Sequence, residues 1–591
     1  MSRSFPMARM LALFAALCML LAACGGSAPA AAPTAAPAAA APTAAPAAAA
    51  PTAAAAPTAA AEPTAAPAAE APTAAAEPTA AAPAVELPEV SREDTLIFAG
   101  DLTDQISMDP AVAYEFGGIE VVGNIYQTLV TIAPDSPDIK PLLAKSWDIK
   151  PGADGSNVIT FKLDEKAKFA SGAPVTAADL VYSWNRVLDL NKSPAFLFSD
   201  IAGLKKDSYK AVDPQTFEVT LSATSSPQVF LSILSFSVSA AVEQKLVEAN
   251  AGSDFGSTWL NDHSAGSGPY MLVSWERNTQ NVLDVNPNYS GTAPAIKRVI
   301  MRNISEQANL QSAIETGDAD IVQDLGTEQV KALEGNADLD IIKASLTQLV
   351  YFGMNAKSPP LDKADVREAI RYALNYDELN TLIGGSGKIV QEIIPDGFLG
   401  HTGNNPFKQD IAKAKALLTK AGVKEGTEIE MLVPTGPAPG GLENSTLAAK
   451  IQSDVEKIGL KLNLKQIQTS ELLAAYRAQK GQIVLISWGP DFPDPDANAT
   501  PFTNYEAKSI GWRNGWEAPE IAKLAKDASL APDNAKRAEL YKQLVDRVQH
   551  EGPYAVLYQP VRSYGVRKNI KGFAFGPAST PGVWFWLISK S

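Results

Sequence analysis

The stretch Ser487-Trp488-Gly489-Pro490-Asp491-Phe492-Pro493-Asp494-Pro495 follows an apolar run, residues 483–486, that has the character of a β-strand. Three prolines and a glycine then predict a rigid turn. Binding groups tend to lie on such loops, because a firm scaffold holds them in place. We interpret Asp491 as a counter-charge for a ligand cation, and the backbone of Ser487 to Gly489 as a strand edge offered to an extended ligand. The alternative interpretation is an acidic surface turn with Trp488 in the core.

The N-terminus predicts an exported protein. Residues 1–24 combine the positive charges of Arg3 and Arg9 with an apolar run that is too short to be a full membrane span. Leu21-Ala22-Ala23-Cys24-Gly25 then resembles the lipobox of bacterial lipoproteins, in which the cysteine is lipidated. We expect Cys24 to carry the lipid. The alternative is an ordinary signal peptide with an incidental cysteine.

Residues 25–89 are almost entirely Ala, Pro and Thr. Such a segment has too few large apolar side chains to offset the entropy of ordering, so we predict a disordered linker. Fully extended in a polyproline II conformation, it would reach on the order of 190 Å. We interpret it as a spacer between the membrane and the folded part.

Size and charge limit the functions of the remaining chain. About 500 residues are too many for one hydrophobic core, so two or three domains are expected. The net charge of −15 argues against nucleic acid as a partner and mildly favours cationic or zwitterionic ligands, although it also serves solubility. The two cysteines, Cys18 and Cys24, both precede the folded part, and the three histidines have no metal-ligand spacing. We therefore expect no metal, no cofactor and no catalytic residues.

The first elements of the folded part follow simple patterns. We predict a strand at residues 95–99, a loop at 111–118, a helix at 119–130 and an alternating strand at 157–163. Another helix is predicted over 175–184, with Thr176 as its N-cap and Asp179 completing a capping box.

Further blocks follow in a characteristic order. They are Gly266-Ser267-Gly268-Pro269-Tyr270, Ala313 to Ile321, Tyr351 to Asn355, Asp365 to Asn375, and the Trp488–Pro495 turn, which has the form W-x-x-D-x-x-D-P. Together with the earlier elements, these blocks resemble the solute-binding proteins of peptide-type ABC importers, the extracellular solute-binding proteins of family 5. The resemblance extends from about residue 95 to the C-terminus. Each block alone is weakly specific, but the series in order is strongly so.

The resemblance implies an α/β fold of the periplasmic-binding-protein type (type II, cluster C), in which two lobes close around a ligand. Lobe I would comprise residues 90–131, 241–345 and 562–591, and lobe II residues 346–561. A small inserted subdomain, residues 132–240, would pack on lobe I. Strands that cross between the lobes would form the hinge.

The resemblance also implies site residues. Asp491 would hold the ligand's α-amino group, and Ser487, Trp488 and Gly489 would lie beside the peptide backbone. Phe116 and Gly117 would touch the ligand from lobe I, unless they only pack within their loop. The sequence offers no clear basic residue for a ligand carboxylate. Arg477 and Arg513 are candidates by neighbourhood only, so a longer peptide is favoured over a dipeptide.

The predicted protein is a membrane-anchored, extracytoplasmic, monomeric receptor that delivers peptides to an importer permease and is not an enzyme. Two alternatives remain open. The same architecture could bind a non-peptide solute, such as an oligosaccharide or a nickel chelate. The second alternative is an exported hydrolase that uses only carboxylates. Such an enzyme would need two acids in one cleft.

Overall fold

The computed structural model describes residues 89–134, 138–576 and 581–591. The predicted signal peptide, the lipidation site at Cys24 and all but the last residue of the predicted linker lie outside these ranges. Within them, no helix is long and apolar enough to cross a membrane.

Strands occur throughout the described chain. They are β1 (Thr95–Gly100), β2 (Val130–Ile132), β3 (Ile139–Pro141), β4 (Ala144–Pro151), β5 (Asn157–Leu163), β6 (Tyr209–Asp213), β7 (Thr216–Leu221), β8 (Tyr270–Glu276), β9 (Gln280–Val285), β10 (Arg298–Asn303), β11 (Ile321–Val322), β12 (Leu339–Ser345), β13 (Leu349–Met354), β14 (Gly387–Ile389), β15 (Thr427–Pro434), β16 (Leu460–Ile467), β17 (Ile483–Trp488), β18 (Tyr554–Arg567), β19 (Ile570–Lys571) and β20 (Ser589–Lys590).

Helices alternate with these strands. They are α1 (Phe116–Ile125), α2 (Ala177–Leu190), α3 (Pro227–Ile233), α4 (Gln244–Ala249), α5 (Gln307–Thr316), α6 (Thr327–Leu333), α7 (Ala364–Ala373), α8 (Tyr376–Ile383), α9 (Ile411–Lys420), α10 (Asn444–Glu456), α11 (Thr469–Arg477), α12 (Asp496–Thr503), α13 (Ile510–Arg513), α14 (Pro519–Leu530) and α15 (Asn534–Glu551).

Most strands join one mixed sheet, in the order β16-β15-β17-β13-β18-β11-β1-β10-β9-β8, with β12 and β14 also paired to β18. The 14-residue strand β18 connects the two halves of this sheet. Its first part pairs with β13 and β14 as far as Pro560, and from Val561 onward it pairs with β12. The chain also passes directly from β12 to β13 through residues 346–348. The two halves are therefore joined by crossing strands.

A second sheet, in the order β4-β5-β7-β6, is antiparallel. It packs with α2 around Trp184, which is completely buried and lies within 4.8–5.2 Å of the rings of Phe198, Tyr209 and Phe217. The same hydrophobic cluster contains Phe492, from the turn after β17. The core of the small sheet is thus continuous with the turn that the sequence marks as a binding loop.

Several predicted elements are confirmed. Strands at 95–99, 157–163 and 483–486 coincide with β1, β5 and the first part of β17. The carboxylate of Asp179 accepts hydrogen bonds from the backbone N–H and hydroxyl of Thr176, at 2.9 and 2.6 Å, so the capping box of α2 is present.

The bounds predicted for the helix at 119–130 are wrong at both ends. The helix α1 begins at Phe116, inside the predicted loop 111–118, and ends at Ile125, so Val130 lies in β2 instead. The first turn of α1 contains Gly117 and Gly118, and glycine has a poor intrinsic helix propensity. The Asp104 carboxylate approaches Gly117 so closely that a Cβ there would lie 2.5 Å from it. Local packing therefore overrides the weak local propensity.

Candidate functional site

A cavity of about 410 Å³ lies where the two halves of the large sheet meet. One wall comes from α1, one from the β12–β13 connection with β18, and one from the turn after β17. Aromatic rings and prolines make up much of the lining, and the charged groups that reach it are Glu120, Asp324, Asp491 and Arg562. A concave, mostly apolar space with a few convergent charges is typical of a small-molecule site.

Asp491 lies in this cavity wall as a half-buried carboxylate. Among the described residues, its side chain forms no ion pair with a lysine, arginine or histidine. Its contact is instead with the hydroxyl of Tyr114, which donates a short hydrogen bond to Oδ1. Burial raises the pKa of Asp491, and the Tyr114 hydrogen bond partly opposes this increase. The carboxylate is therefore only partly stabilised in its charged form.

Tyr114 was not singled out from the sequence, although it lies in the predicted loop 111–118. Its ring makes edge-to-face contacts with Phe196 and Phe236, at centroid distances of 6.0 and 6.1 Å. These contacts hold the hydroxyl towards Asp491, while burial raises the pKa of Tyr114 far above its ordinary value. The hydroxyl therefore remains a neutral donor. The only signal for it in the sequence is its place two residues before Phe116.

Trp488 anchors the start of the turn. Its Nε1 donates a 3.2 Å hydrogen bond to the carbonyl oxygen of Ala497, and its ring lies edge-on to Phe502 at 6.3 Å. The side chain does not line the cavity. Its position matches the alternative interpretation of a packed tryptophan, and a ligand contact from it stays a prediction.

Ser487 and Gly489 also lie outside the cavity lining. Ser487 pairs with Val350 on one edge of β17. On the other edge, β15 pairs only with Ile483 and Val484, and no other described strand continues this pairing towards Ser487. The edge of β17 that was predicted to bind a ligand therefore has no described strand partner beyond Val484. This edge does not line the cavity that contains Asp491.

Phe116 and Gly117 lie together at the start of α1. The ring of Phe116 is 64% exposed and lines the 410 Å³ cavity together with Asp491. Gly117 lines a neighbouring space of about 190 Å³, and its N–H donates to Asp104 at 3.2 Å. Phe116 and Asp491 therefore line the same cavity, whereas Gly117 contacts Asp104 in the segment between β1 and α1. A ligand contact from Phe116 or Gly117 stays a prediction.

Arg562 is the one cation among the described residues that line the cavity, and sequence reasoning missed it. Its Nε donates to Asp324 Oδ1 at 2.8 Å. The two arginines proposed from the sequence lie elsewhere. Arg477 is exposed at the end of α11, and the guanidinium of Arg513 lies over the ring of Tyr476, 5.7 Å from its centroid.

Glu120 is a second half-buried carboxylate in the cavity wall. It accepts a 2.9 Å hydrogen bond from the N–H of Val583, and burial raises its pKa to about 7. Across the described residues, no group of three or more His, Cys, Asp or Glu side chains is placed to hold a metal ion.

Comparison with known proteins identifies the family. A sequence profile of the bacterial extracellular solute-binding proteins, family 5 (middle region), matches residues 138–509. The probable D,D-dipeptide-binding periplasmic protein of Escherichia coli (strain K12) is 30% identical over 489 residues, covering 82% of this chain and 92% of that protein.

Two solved structures have the same fold. HbpA2 from Haemophilus parasuis superposes with a TM-score of 0.75 at 22% identity, covering 84% of this chain and 100% of its own. The periplasmic binding protein DppA from Helicobacter pylori, solved in complex with the peptide STSA, gives a TM-score of 0.68 at 24% identity, covering 84% of this chain and 98% of its own. The predicted α/β, two-lobed fold is confirmed. The residue bounds of the lobes and the roles of the site residues stay predictions.

Proposed function

The chain belongs to the bacterial extracellular solute-binding proteins of family 5, and we propose that it captures peptides in the 410 Å³ cavity for delivery to an ABC importer permease. Peptides are favoured as the ligand class because the relative in Escherichia coli is named as a probable D,D-dipeptide-binding periplasmic protein. The structural neighbour from Helicobacter pylori was solved with a bound peptide.

One observation carries the proposal: Asp491 is a half-buried carboxylate without a cationic partner among the described residues. A carboxylate that burial has destabilised gains most from an incoming cation, since a charge-assisted hydrogen bond is strongest where water is excluded. The α-ammonium group of a peptide supplies both the charge and the N–H donors. The Tyr114 hydroxyl would keep its hydrogen bond to the same carboxylate as a neutral donor.

The main chain of the peptide has a second proposed partner. Among the described residues no strand pairs with this edge of β17 beyond Val484, so a peptide that extends from Asp491 past the cavity lining would pair with residues 487–489 by strand addition. Such pairing gives affinity that does not depend on the peptide's sequence. Phe116, exposed in the cavity, would cover a side chain of the ligand.

The anchoring part of the proposal depends on the N-terminal sequence. A lipid on Cys24 and the Ala/Pro/Thr segment after it would tether a monomeric receptor outside the cytoplasmic membrane, with reach towards its permease. A Cys24→Ala variant expressed in a bacterium is expected to leave the membrane fraction. Unchanged membrane retention would contradict the anchor.

Incubation with ligands tests the receptor function. The purified protein is mixed separately with a set of di- to pentapeptides and with glycans, and both thermal unfolding and the recovered ligand are analysed. We expect a higher melting temperature with peptides and chemically intact peptides by mass spectrometry. Cleaved products would indicate a hydrolase instead, and stabilisation by glycans alone would contradict peptide capture.

Calorimetry of Asp491→Ala tests the assigned residue. We expect peptide binding to weaken by about 2–5 kcal/mol, because the ligand's ammonium group would be left desolvated and unpaired. Asp340→Ala, which alters an exposed carboxylate on β12 outside the cavity, serves as the matched control and is expected to bind like the wild type. A loss below about 0.5 kcal/mol for Asp491→Ala would contradict the peptide assignment.

A further inference from the structure

A smaller space of about 190 Å³ adjoins the 410 Å³ cavity, and both are lined by Phe116, Glu120, Asp324 and Arg562. The smaller space lies beyond the carboxyl ends of the parallel strands β1 and β11, since the residues that follow each strand line it. Ligands of α/β proteins commonly bind at this edge of a sheet. Its volume is below the range of roughly 300–1,000 Å³ for complete ligand pockets, so it has room for part of a ligand that lies in the larger cavity.

Carboxylates dominate the charge of this smaller space. Its lining contains Asp101, Asp104, Glu120 and Asp324, and Arg562 is the one cation among the described residues that line it. The Nε of Arg562 donates to Asp324 Oδ1 at 2.8 Å, so these two charges balance each other. The other three carboxylates form no ion pair with a lysine, arginine or histidine among the described residues. The space therefore carries an excess of negative charge.

Two of the unpaired carboxylates are held by neutral donors. Asp104 Oδ2 accepts the N–H of Gly117 at 3.2 Å, and Glu120 Oε1 accepts the N–H of Val583 at 2.9 Å. Burial raises the pKa of Glu120 to about 7, and partial burial also raises the pKa of Asp104 above its ordinary value. Because their charged forms are destabilised, both carboxylates would gain from a cation that enters the space.

Gln323 is an independent indication of a ligand. It directly follows β11, lines the same space and is only 9% exposed. Among the described residues, none forms a hydrogen bond with its side-chain amide. The amide packs closely on Gly100, where a Cβ would lie 2.4 Å from Cγ of Gln323 and 2.6 Å from its Nε2. Since buried amides are normally paired, this one is placed for a partner that enters the space.

On the basis of the peptide-binding function proposed above, we propose that the 190 Å³ space binds a basic side chain of the ligand, either a lysine ammonium or an arginine guanidinium group. Asp104 and Glu120 supply the counter-charge, and the amide oxygen of Gln323 accepts an N–H of the cation. The ring of Phe116, which is 64% exposed and lines both spaces, covers the aliphatic part of that side chain. The receptor therefore selects peptides with a basic residue over neutral or acidic ones.

A metal ion is the other occupant that a set of carboxylates can take. Across the described residues, however, no three His, Cys, Asp or Glu side chains are placed to hold one ion together. An ammonium group has three N–H donors and a guanidinium group has five, so either can reach acceptors that are spread around a space. The separation of the acids thus favours an organic cation.

Calorimetry with matched tripeptides tests the proposal. Alanine tripeptides with one lysine at the first, second or third position are titrated into the protein, each beside the same peptide with norleucine or glutamate instead. Norleucine keeps the aliphatic chain and removes the charge, so the ratio of the two affinities reports the ammonium group. We expect lysine at one position to bind about 10-fold or more tightly than norleucine, as is usual for hydrogen bonds to a charged group. Glutamate there should bind more weakly than norleucine.

Two variants locate this preference in the smaller space. Asp104→Asn and Gln323→Leu should each lower the lysine-to-norleucine affinity ratio by about 3-fold or more, since each removes one partner of the cation. The ratio compares two ligands of one protein, so a general loss of affinity leaves it unchanged. Asp104→Asn keeps an oxygen for the Gly117 N–H and carries the test if Gln323→Leu does not fold. Asp340→Asn changes an exposed carboxylate on β12 outside both spaces, and it should keep the wild-type ratio.

The outcomes separate this inference from the proposed function. If the tripeptides bind but lysine gives no advantage at any position, or if its advantage persists in both variants, the basic subsite is overturned while peptide capture still stands. Displacement of the lysine peptide by Ca²⁺ alone would overturn it in favour of a metal site. If none of these peptides binds to the wild type, both proposals fail.

Discussion

Asp491 and Asp494 lie three residues apart in the same turn, yet their surroundings differ sharply. Asp494 is 3% exposed and pairs with Arg537, which is 4% exposed, through contacts of 2.7 and 2.8 Å. It also accepts the N–H of Asp496 at 2.9 Å. Asp491 is half-buried, and among the described residues only the Tyr114 hydroxyl donates a hydrogen bond to its carboxylate.

The difference separates two uses of a buried carboxylate. Asp494 has its full complement of partners within the protein, so its charge fixes the turn against α15. Among the residues that the structure describes, Asp491 has no cationic partner, and under the function proposed above the ligand supplies one. The rigidity of the turn is thus assigned to Asp494, and ligand binding is proposed for Asp491.

The largest predicted effect is on stability, through Asp494→Ala. We expect the free energy of unfolding to fall by about 3–5 kcal/mol, because Arg537 would be left as a buried charge without its partner. Denaturant unfolding at neutral pH measures the change. Asp491→Ala is the matched control, and its stability should be unchanged or higher, since it removes a carboxylate that burial has destabilised.

A second variant checks the mechanism of that loss. Combining Asp494→Ala with Arg537→Met removes both charges and should recover much of the stability. If the double variant were no more stable than Asp494→Ala alone, the turn would be held mainly by packing of Phe492 and Trp488, and the contrast between the two acids would be lost.

Glu120 extends the comparison to a third carboxylate, again without an ion pair among the described residues. Its pKa is raised by burial from 4.5 to about 7, so the folded state binds the proton more tightly than the unfolded state does. Its stabilising contribution is complete below about pH 4.5 and is lost as the pH rises through 7. We expect Glu120→Gln to raise the free energy of unfolding by about 1–3 kcal/mol at pH 8.5, allowing for solvent screening.

Denaturant unfolding of wild type and Glu120→Gln at pH 4 and pH 8.5 measures this difference. At pH 4 the carboxyl group is mostly protonated in both states, so the two proteins should be nearly equal in stability. An equal gain at both pH values would mean that packing, not charge, distinguishes the variant.

The smallest predicted effect concerns Tyr114→Phe. Its hydroxyl opposes the increase in the pKa of Asp491, so its removal should raise that pKa further. Peptide affinity, which needs the ionised carboxylate, should then be lost at a higher pH than in the wild type as the solution is acidified. At pH 7.5 the change should stay within about 1 kcal/mol. Calorimetry across the pH range measures both, and superimposable pH profiles would contradict the role of Tyr114.

Much of the fold could be predicted from the sequence, because the elements with strong patterns are locally determined. The alternating residues of β5 and the capping box before α2 need no distant partner. The start of α1 could not be predicted, since it depends on the close approach of Asp104 to Gly117, which only the folded structure reveals.

Only part of the lining of the candidate cavity could be predicted from the sequence. Asp491 and Phe116 occur in recognisable local sequence and do meet in one cavity. Tyr114 and Arg562 have no distinctive neighbours in the sequence. Their place in the cavity depends on how α1 and β18 pack against the turn, a long-range property that local patterns do not encode.

A double-mutant cycle between Asp491 and the ligand's amino group tests the central claim most directly. The binding of Ala-Phe and N-acetyl-Ala-Phe to the wild type and to Asp491→Asn is measured by calorimetry under identical conditions. The account predicts a coupling free energy of about 2–5 kcal/mol, with acetylation costly only when the carboxylate is present. A coupling below about 0.5 kcal/mol would contradict it.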